Sequence, residues 1–261
     1  MDEYLEQLHK DFTDILVVLD KFCKENDIEY SLAFGSLIGA IRHNGFIPWD
    51  DDLDIMMTRE NFEKFRPLAI KYFSKENNGR FIYNDHNLDE NYNLFFGKFY
   101  DTTKPFKSTK GLYHEKYLWI DVFPVDYVPG SKFKKFFLNY YIKYLSSGMA
   151  SKGLKWHGKD AIKKLIFLPF SRKHIVKSFE KFWRKNLKNK DKKGMKRCCY
   201  TAFLRGSTKA TYYPIDAFDG TIEHKFEDGE YSVYKNYDLI LTEYYGDYMT
   251  PPPVKEQVRL H

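Results

Sequence analysis

Apolar side chains near the start of the chain recur at the spacing of an amphipathic helix. Between residues 3 and 25, leucine and phenylalanine return every three or four positions and so fall on one helical face. Asn26 and Asp27 interrupt this pattern, and the short apolar run 28–33 predicts a first strand. Residues 60–73 repeat the helical pattern. We therefore expect the apolar faces of both helices to pack against a sheet.

Strand and helix patterns alternate through the rest of the chain. Short apolar or alternating runs predict strands at 81–83, 94–100 and 117–126. Helical spacing predicts helices at 131–147, 159–168, 173–187 and 235–245, the last of them ending at Gly246. Such a mixture indicates an α/β (α+β) fold in which helices flank a mixed sheet.

The densest acidic cluster directly precedes a strand-like alternation. It consists of Asp50, Asp51, Asp52 and Asp54, and apolar residues then alternate as far as Met57. Side chains two apart on a strand share a face, so Asp52 and Asp54 are predicted to stand side by side and away from the core. Paired carboxylates repel each other, and Mg²⁺, which takes carboxylate and phosphate oxygens, would relieve the repulsion. A solvated acidic turn is the alternative.

A small-residue turn lies about sixteen positions before the acids. Gly35 and Ser36 precede an apolar helix predicted at 37–41, whose first backbone N–H groups would be free to bind phosphate. Gly35 lets a diphosphate approach the backbone, and the Ser36 hydroxyl can donate a hydrogen bond. A simple turn is the alternative for Gly35.

One further carboxylate and one lysine interrupt apolar strand patterns. Asp121 lies within the apolar run 117–126, where an isolated carboxylate is costly unless it is paired or binds a metal. Lys98 interrupts the apolar pattern of residues 94–100. It is interpreted either as a phosphate contact or as a solvated lysine at the strand edge. Asp126 is predicted to be a turn or a helix cap, and the polar stretch 103–116 a loop over the site.

The string GSLIGAIRHNGFIPWDDDLDI at 35–55 resembles the LicD family, and YLWIDVFPVD at 117–126 resembles that family's IDIFP element. The pairing of Gly-Ser with Asp-x-Asp is also similar to the nucleotidyltransferase superfamily, and fukutin-related proteins share it. The resemblance extends over about 1–126 and 211–261. It implies a nucleotidyltransferase-like fold that transfers phosphocholine, or a related alditol phosphate, from a CDP-activated donor to a glycan.

The resemblance also implies roles for individual residues. The acids Asp52, Asp54 and Asp121 would be catalytic and would hold one or two Mg²⁺ ions, with Mn²⁺ as the alternative cofactor. Asp121 would bind the second ion or accept the proton of the acceptor hydroxyl. Four residues would bind the donor: Gly35, Ser36, Arg42 and Lys98. Family members often close on a basic or histidine residue, and Arg259 and His261 stand at that place.

The middle of the chain is a basic block inside an otherwise acidic protein. Residues 131–197 contain 21 Lys and Arg against 3 Asp and Glu, although the whole chain has a net charge of only +6. The block can be a solvated helical insert, or it can lie on an anionic membrane surface, which basic and aromatic helix faces suit. Nucleic-acid binding is not expected, because no recognition motif is visible. We divide the chain into a catalytic core (1–130), the basic insert (131–200) and a C-terminal segment that packs back on the core (201–261).

Composition favours a folded protein of the cytoplasm. The chain is 43% hydrophobic, and it has neither an apolar run of membrane-spanning length nor an apolar signal region. Its three cysteines suit neither a disulfide framework nor zinc, and we expect reduced thiols. A peripheral position at the inner face of the membrane would bring the enzyme to lipid-linked glycan acceptors.

Several alternatives stay open from the sequence. Choline is favoured over ribitol or glycerol as the transferred group, because Trp49, Trp119 or Tyr113 could form a cage for its quaternary ammonium. The same acids would equally serve a nucleotidyltransferase that releases pyrophosphate. A non-catalytic nucleic-acid-binding module is the third reading, and the intact acids argue against it.

Overall fold

A computed structural model of the chain describes residues 3–74, 79–106, 116–153, 158–199 and 211–258. The helices are α1 (Glu3–Glu25), α2 (Phe34–His43), α3 (Arg59–Tyr72), α4 (Lys132–Gly153), α5 (Gly158–Ile166), α6 (Arg172–Lys188) and α7 (Tyr237–Tyr245). The strands are β1 (Ser31–Leu32), β2 (Asp54–Thr58), β3 (Phe81–Asn84), β4 (Gly97–Pro105), β5 (Tyr117–Pro129), β6 (Met195–Cys198), β7 (Thr221–Phe226) and β8 (Gly229–Tyr234). Tyr113, Arg259 and His261, which the sequence analysis singled out, lie outside the described residues.

The chain divides into two compact units. The first comprises Met1–Tyr83, Lys98–Phe123 and Asp216–His261, and the second comprises Asn84–Gly97 and Pro124–Ile215. The second unit is broader than the basic insert expected at 131–200, because it also takes in residues from before β4 and the end of β5.

A mixed sheet flanked by helices confirms the predicted fold class. Its strand order is β1-β2-β5-β4-β3, and β6 pairs with the end of β5. β1 and β2 are antiparallel, with Ser31 opposite Met56. A separate hairpin, β7-β8, lies in the first unit and is joined to β1 by a hydrogen bond from the backbone N of Tyr234 to Ser31 Oγ (3.1 Å).

The helices that periodicity predicted are present with small shifts of their ends. α1 buries the leucine and phenylalanine stripe that defined it, and α3 begins where Thr58 accepts a hydrogen bond from the backbone N of Asn61. Both helices belong to the main hydrophobic core of the first unit. α7 ends at Gly246, whose φ of 75° is a left-handed conformation that glycine adopts without strain.

Several strand predictions were wrong. β1 contains two residues rather than six. β2 starts at Asp54 and is buried at every position, so it is not the half-buried alternating strand that was predicted. The run 94–100 is displaced to Gly97–Pro105. Asp126 is neither in a turn nor a helix cap, because β5 continues to Pro129 and buries it.

The second unit is built around α4 and α6. Leu138, Ile142, Leu145 and Met149 form the buried face of α4, and they pack in one cluster with the buried side of α6. Nη2 of Arg172, the first residue of α6, donates to three backbone carbonyls, those of His86, Asp89 and Tyr92, at 2.6, 2.9 and 2.9 Å. This guanidinium ties the start of α6 to the segment before β4.

α4 carries a second apolar face, which is exposed. Five aromatic side chains recur along it at threes and fours and are between 37% and 74% exposed: Phe133, Phe136, Phe137, Tyr140 and Tyr144. Neighbouring rings are in contact, with centroids 4.9 Å apart for Phe133 and Phe137 and 4.8 Å apart for Phe136 and Tyr140. We call this set the aromatic face of α4.

Within the described ranges, no helix combines the length with the apolar character that a bilayer crossing requires. The three cysteines, Cys23, Cys198 and Cys199, are buried and form no disulfide.

Candidate functional site

The Gly-Ser turn and the acidic strand are joined by backbone hydrogen bonds. β1 runs directly into α2, and the backbone N of Ala33 donates to the carbonyl of Asp54 (2.9 Å). The backbone N of Asp54 in turn donates to Ser36 Oγ (2.9 Å), and both residues are buried. The hydroxyl of Ser36 thus fixes the first residue of β2 against the first turn of α2, a structural contact that the sequence did not reveal.

Two of the predicted acids, Asp54 and Asp121, occupy adjacent strands, and Asp52 lies just before the first of them. β5 lies beside β2, and the backbone N of Asp121 donates to the carbonyl of Leu53 (3.2 Å), between the two other acids. Asp52, Asp54 and Asp121 are 7%, 3% and 1% exposed. The carboxylates are therefore buried rather than solvated, while the alternating residues Leu53, Ile55 and Met57 belong to the main core of the first unit.

The donor set partly fits a divalent cation. Buried carboxylate oxygens are the ligands that Mg²⁺ prefers, and a buried cluster of like charges is costly without a counter-charge. In the described ranges, however, no three Asp, Glu, His or Cys side chains converge closely enough to hold a metal ion by themselves. A cation bound here would need further oxygens, and Mg²⁺ sites commonly take these from substrate phosphates.

Lys98 is buried in the site and pairs with the third acid. Its Nζ lies 3.3 Å from Asp121 Oδ1, and the two side chains are 5% and 2% exposed. The same ammonium lies 3.8 Å from the centre of the Trp119 ring. The alternative of a solvated strand-edge lysine is therefore wrong, while the role of Lys98 toward phosphate stays a prediction.

Gly35 lies against the carboxylate of Asp50. A Cβ at position 35 would collide with Asp50 Oδ2, so the absence of a side chain permits this approach. The carbonyl of Asp50 is held by His9 Nε2 at 2.8 Å, and the imidazole stacks on Phe46 with ring centroids 4.1 Å apart. Burial lowers the pKa of His9, against the opposing effects of the Asp50 carbonyl, Glu227 and Asp51.

His9 was missed because it lies on α1, far from the acids in the chain. Its position on the buried stripe of that helix was the available signal, and that signal indicates packing alone.

Arg42 binds the C-terminal segment in this structure. Its Nη1 donates to the carbonyl of Tyr248 at 2.8 Å, and its Nε contacts His43 Nε2 at 3.0 Å. Burial lowers the pKa of Arg42, and burial together with Arg42 lowers that of His43. Tyr248 is itself buried and donates to Asp238 Oδ1 (2.7 Å). The predicted contact between Arg42 and phosphate is not tested by these bonds.

Glu227 holds the turn between α2 and the acids. Its backbone N donates to the carbonyl of Asn44 (2.9 Å), and its Oε1 accepts from the backbone N of Phe46 (2.8 Å). A Cβ at Gly45 would collide with the same carboxylate. The sequence pattern did not indicate that Glu227 contacts the turn formed by Asn44 and Gly45.

Aromatic rings flank the acids on one side. The ring of Phe34, at the start of α2, lies 5.4 Å from that of Phe123 on β5 and 5.4 Å from that of Tyr244 on α7. Tyr245 continues the series, 4.6 Å from Tyr244. The hydroxyl end of Tyr245 is buried although 43% of the residue is exposed, and its pKa is raised by that burial first, then by Tyr244 and by the charges of Asp54, Asp50 and Asp52. We call Phe34, Phe123, Tyr244 and Tyr245 the aromatic wall.

The two tryptophans proposed for the choline cage, Trp119 and Trp49, are less suited to binding a ligand. Trp119 is buried, carries the Lys98 ammonium on its face and meets Phe106 edge to face at 5.2 Å. Trp49 is partly buried against the main core of the first unit.

Comparison with known families identifies the domain. Residues 27–177 match the family described as LicD/FKTN/FKRP, nucleotidyltransferase domain. This range includes the Gly-Ser turn, all three acids and the first part of the basic block, which the motif-level resemblance had left out.

A relative of known activity matches over nearly the whole chain. The lipopolysaccharide cholinephosphotransferase LicD of Haemophilus influenzae is 29% identical over 254 residues, covering 94% of this chain and 92% of its own. Shorter matches occur with uncharacterised proteins of Rickettsia typhi (41% over 68 residues) and Rickettsia prowazekii (44% over 57 residues). These two cover 26% and 22% of this chain and 20% and 19% of their own.

Proposed function

Because this chain belongs to the LicD family of nucleotidyltransferase-domain proteins, we propose that it transfers phosphocholine from a CDP-activated donor to a hydroxyl of a glycan, with release of CMP. The observation that carries this proposal is the group of three buried acids on β5 and at the start of β2, where Ser36 of the Gly-Ser turn bonds to the backbone of Asp54. The similarity to a cholinephosphotransferase, over 94% of this chain and 92% of the relative, supports it.

The reaction exchanges one phosphorus–oxygen bond for another. The oxygen of the acceptor hydroxyl forms a bond to the phosphorus of phosphocholine, and the bond from that phosphorus to the bridging oxygen of the diphosphate breaks. The bridging oxygen keeps the electron pair and leaves as part of CMP. The hydroxyl proton passes to one of the three carboxylates, which are the bases that the described site offers.

Asp52 and Asp54, with Asp121 beside them, would hold Mg²⁺ or Mn²⁺ together with the phosphate oxygens of the donor. When bound, the cation would neutralise the diphosphate and the developing charge on CMP. The protein's own contributions are cationic and polar. The first turn of α2, with Gly35 and Ser36, offers backbone N–H groups to the diphosphate, and Arg42 and Lys98 add positive charge near it.

The decisive test is product formation with defined donors. Protein with Mg²⁺ and a glycan acceptor should release CMP from CDP-choline. An Asp54→Asn variant should lower this turnover by orders of magnitude without unfolding, since the bond to Ser36 uses the backbone N of residue 54. Asp219→Asn, at an exposed aspartate in the same unit, is the matched control and should keep full activity.

Two other donors separate the alternatives. Release of CMP from CDP-ribitol or CDP-glycerol, but not from CDP-choline, would make the protein an alditol phosphate transferase. Release of pyrophosphate from CTP would make it a nucleotidyltransferase. Normal activity of the Asp54→Asn protein in Mg²⁺ would refute the assignment of the acids under either chemistry.

We further propose that the second unit contacts an anionic membrane, where lipid-linked glycans would be available. Two described faces support this. The aromatic face of α4 is exposed, and α5 exposes Ile162, Leu165 and Ile166 beside lysines. Apolar side chains flanked by lysines are typical of helices that lie in a membrane interface. α4 contains no acidic residue at all, so its charge is complementary to an anionic surface.

Vesicle sedimentation tests this contact. The protein should bind vesicles that contain anionic lipid, and binding should weaken with salt, because each basic residue near such a surface contributes about 1 kcal/mol. Replacing both Phe136 and Tyr140 with serine should reduce binding without loss of stability, since both side chains are exposed. The matched control replaces Tyr4 and Tyr72, two exposed tyrosines of the first unit. Equal sedimentation with neutral and anionic vesicles would show a solvated insert instead.

A further inference from the structure

The position of a choline group is constrained by its own chemistry. In phosphocholine only a two-carbon chain separates the quaternary ammonium from the phosphate oxygen. If the phosphate lies at the three acids, as in the function proposed above, the ammonium must lie directly beside them. Such a cation binds best over the faces of aromatic rings, within about 6 Å of a ring centroid.

The aromatic wall lies at the required place. Phe123 follows Asp121 by two positions on β5, and side chains two apart on a strand point to the same face of the sheet. The ring of Phe34 meets Phe123 edge to face, with an interplanar angle of 85°. Phe34 is the first residue of α2 and directly precedes Gly35 of the Gly-Ser turn.

α7 supplies the other rings. Tyr244 packs on Phe34, and Tyr245 packs on Tyr244 with an interplanar angle of 60°. Tyr245 is 43% exposed and Tyr244 is partly exposed, so these rings can meet a ligand, whereas Phe123 is buried behind them. The effect of the Asp50, Asp52 and Asp54 charges on Tyr245 agrees with this placement beside the acids.

The backbone of Phe34 also points to a function. Its φ is 48°, a left-handed conformation that is unfavourable for a bulky side chain. Such conformations cost about 1–3 kcal/mol, and they concentrate at binding and catalytic sites, where the surrounding structure maintains them. Glycine or asparagine would adopt this backbone conformation with less strain than phenylalanine.

We propose that Phe34, Tyr244 and Tyr245 bind the quaternary ammonium of the transferred group and thereby select choline over uncharged alditols. This proposal rests on the proposed function for its donor, but the recognition of the ammonium can be measured separately. Among the described aromatic residues near the acids, Trp119 is excluded by the Lys98 ammonium that already lies on its ring.

Calorimetry with two matched ligands tests the proposal. The probes are phosphocholine and 3,3-dimethylbutyl phosphate, an isostere in which a neutral carbon replaces the charged nitrogen. The wild-type protein should bind phosphocholine more tightly by about fivefold to thirtyfold, the effect of a desolvated cation over aromatic rings. Tyr244→Leu and Tyr245→Leu should each reduce that preference while leaving the affinity for CMP unchanged. Tyr72→Leu, at an exposed tyrosine on α3, is the matched control and should behave as wild type.

The possible outcomes distinguish a failure of the proposed ammonium site from a failure of the proposed transfer reaction. If Tyr244→Leu lowers the affinities for CMP and phosphocholine alike, the ring contacts the nucleotide and the proposal is wrong. If the wild type does not distinguish the two probes, no ammonium site exists here, even if CMP is released from a CDP donor. If phosphocholine is preferred and the preference depends on Tyr244, but no CMP is ever released, the wall stands and the proposed transfer fails.

Discussion

Replacing Lys98 with methionine should remove the positive charge beside Asp121 while keeping most of the side-chain volume. The two side chains are 5% and 2% exposed with their charges 3.3 Å apart, so water screens the pair little. Removing one partner of such a buried pair costs about 3–5 kcal/mol, because the other charge is left without compensation. The lost contact of the ammonium with Trp119 adds up to about 2 kcal/mol, part of which the thioether recovers on the ring.

The assay is urea unfolding of four proteins: the wild type, Lys98→Met, Asp121→Asn and the double variant. Both single variants should lose a large part of a stability that is typically about 5–15 kcal/mol. The double variant should lose clearly less than the sum of the two, since it leaves no charge uncompensated. The control is the exposed pair Lys21 and Glu25, 74% and 59% exposed at 3.9 Å, where Lys21→Met should cost less than about 1 kcal/mol.

Magnesium adds a second readout to the same series. If Asp121 contributes to a cation site, Mg²⁺ should raise the stability of Lys98→Met more than that of the wild type, because the carboxylate then has no lysine beside it. A loss in Lys98→Met no larger than that in Lys21→Met would refute the reasoning that the pair is buried and coupled.

Three further outcomes follow from contacts described above. Gly39→Ala should destabilise the protein by about 1–3 kcal/mol, because the new Cβ would collide with the backbone of the following turn. Gly35→Ala should displace only the Asp50 carboxylate, so this variant should keep its thermal stability but lose affinity for CMP. Because the pKa of His9 is lowered in the folded state, its contribution to the free energy of unfolding should be complete above pH 6.5 and should fall as the pH drops from 6.5 toward the lowered pKa. The His9→Gln variant, measured over the same pH range, should show a smaller fall. Arg172→Lys should lower the denaturation midpoint, since one ammonium cannot reproduce the guanidinium that serves three carbonyls; an unchanged midpoint would show those bonds to be dispensable.

Elements defined by local periodicity were predictable from the sequence. The stripes of α1 and α6 and the end of α7 at Gly246 depend on residues within a few positions of one another. The strands were less predictable from the sequence, because the burial of a strand depends on which distant residues cover it. β2 was expected to have one solvated face, yet neighbours from distant parts of the chain bury all five of its residues.

The acids of the site were identifiable, but their surroundings were not. Asp121 stood out as a charge in an apolar run, and its backbone N–H does pair beside Asp52 and Asp54. No sequence pattern connects it with Lys98, because that pair forms across two strands whose register is set by the whole sheet. The aromatic wall is drawn from α2, β5 and α7, and its rings cannot be distinguished in the sequence from the many other aromatic residues.

The split of the first unit into three stretches of chain has a consequence for synthesis on the ribosome. All three acids are made before Pro124, but the ribosome must then add Pro124–Ile215 before the last stretch of the first unit appears. At about 5–20 residues per second this takes roughly 5 to 20 s.

During that interval the second unit can fold, while the first still lacks the β7-β8 hairpin, whose Tyr234 bonds to Ser31 and whose Glu227 holds the Asn44 turn. A message that ends early at residue 215 would therefore encode every predicted acid and phosphate-binding residue, and yet yield a chain that lacks the contacts of Tyr234 and Glu227 around them.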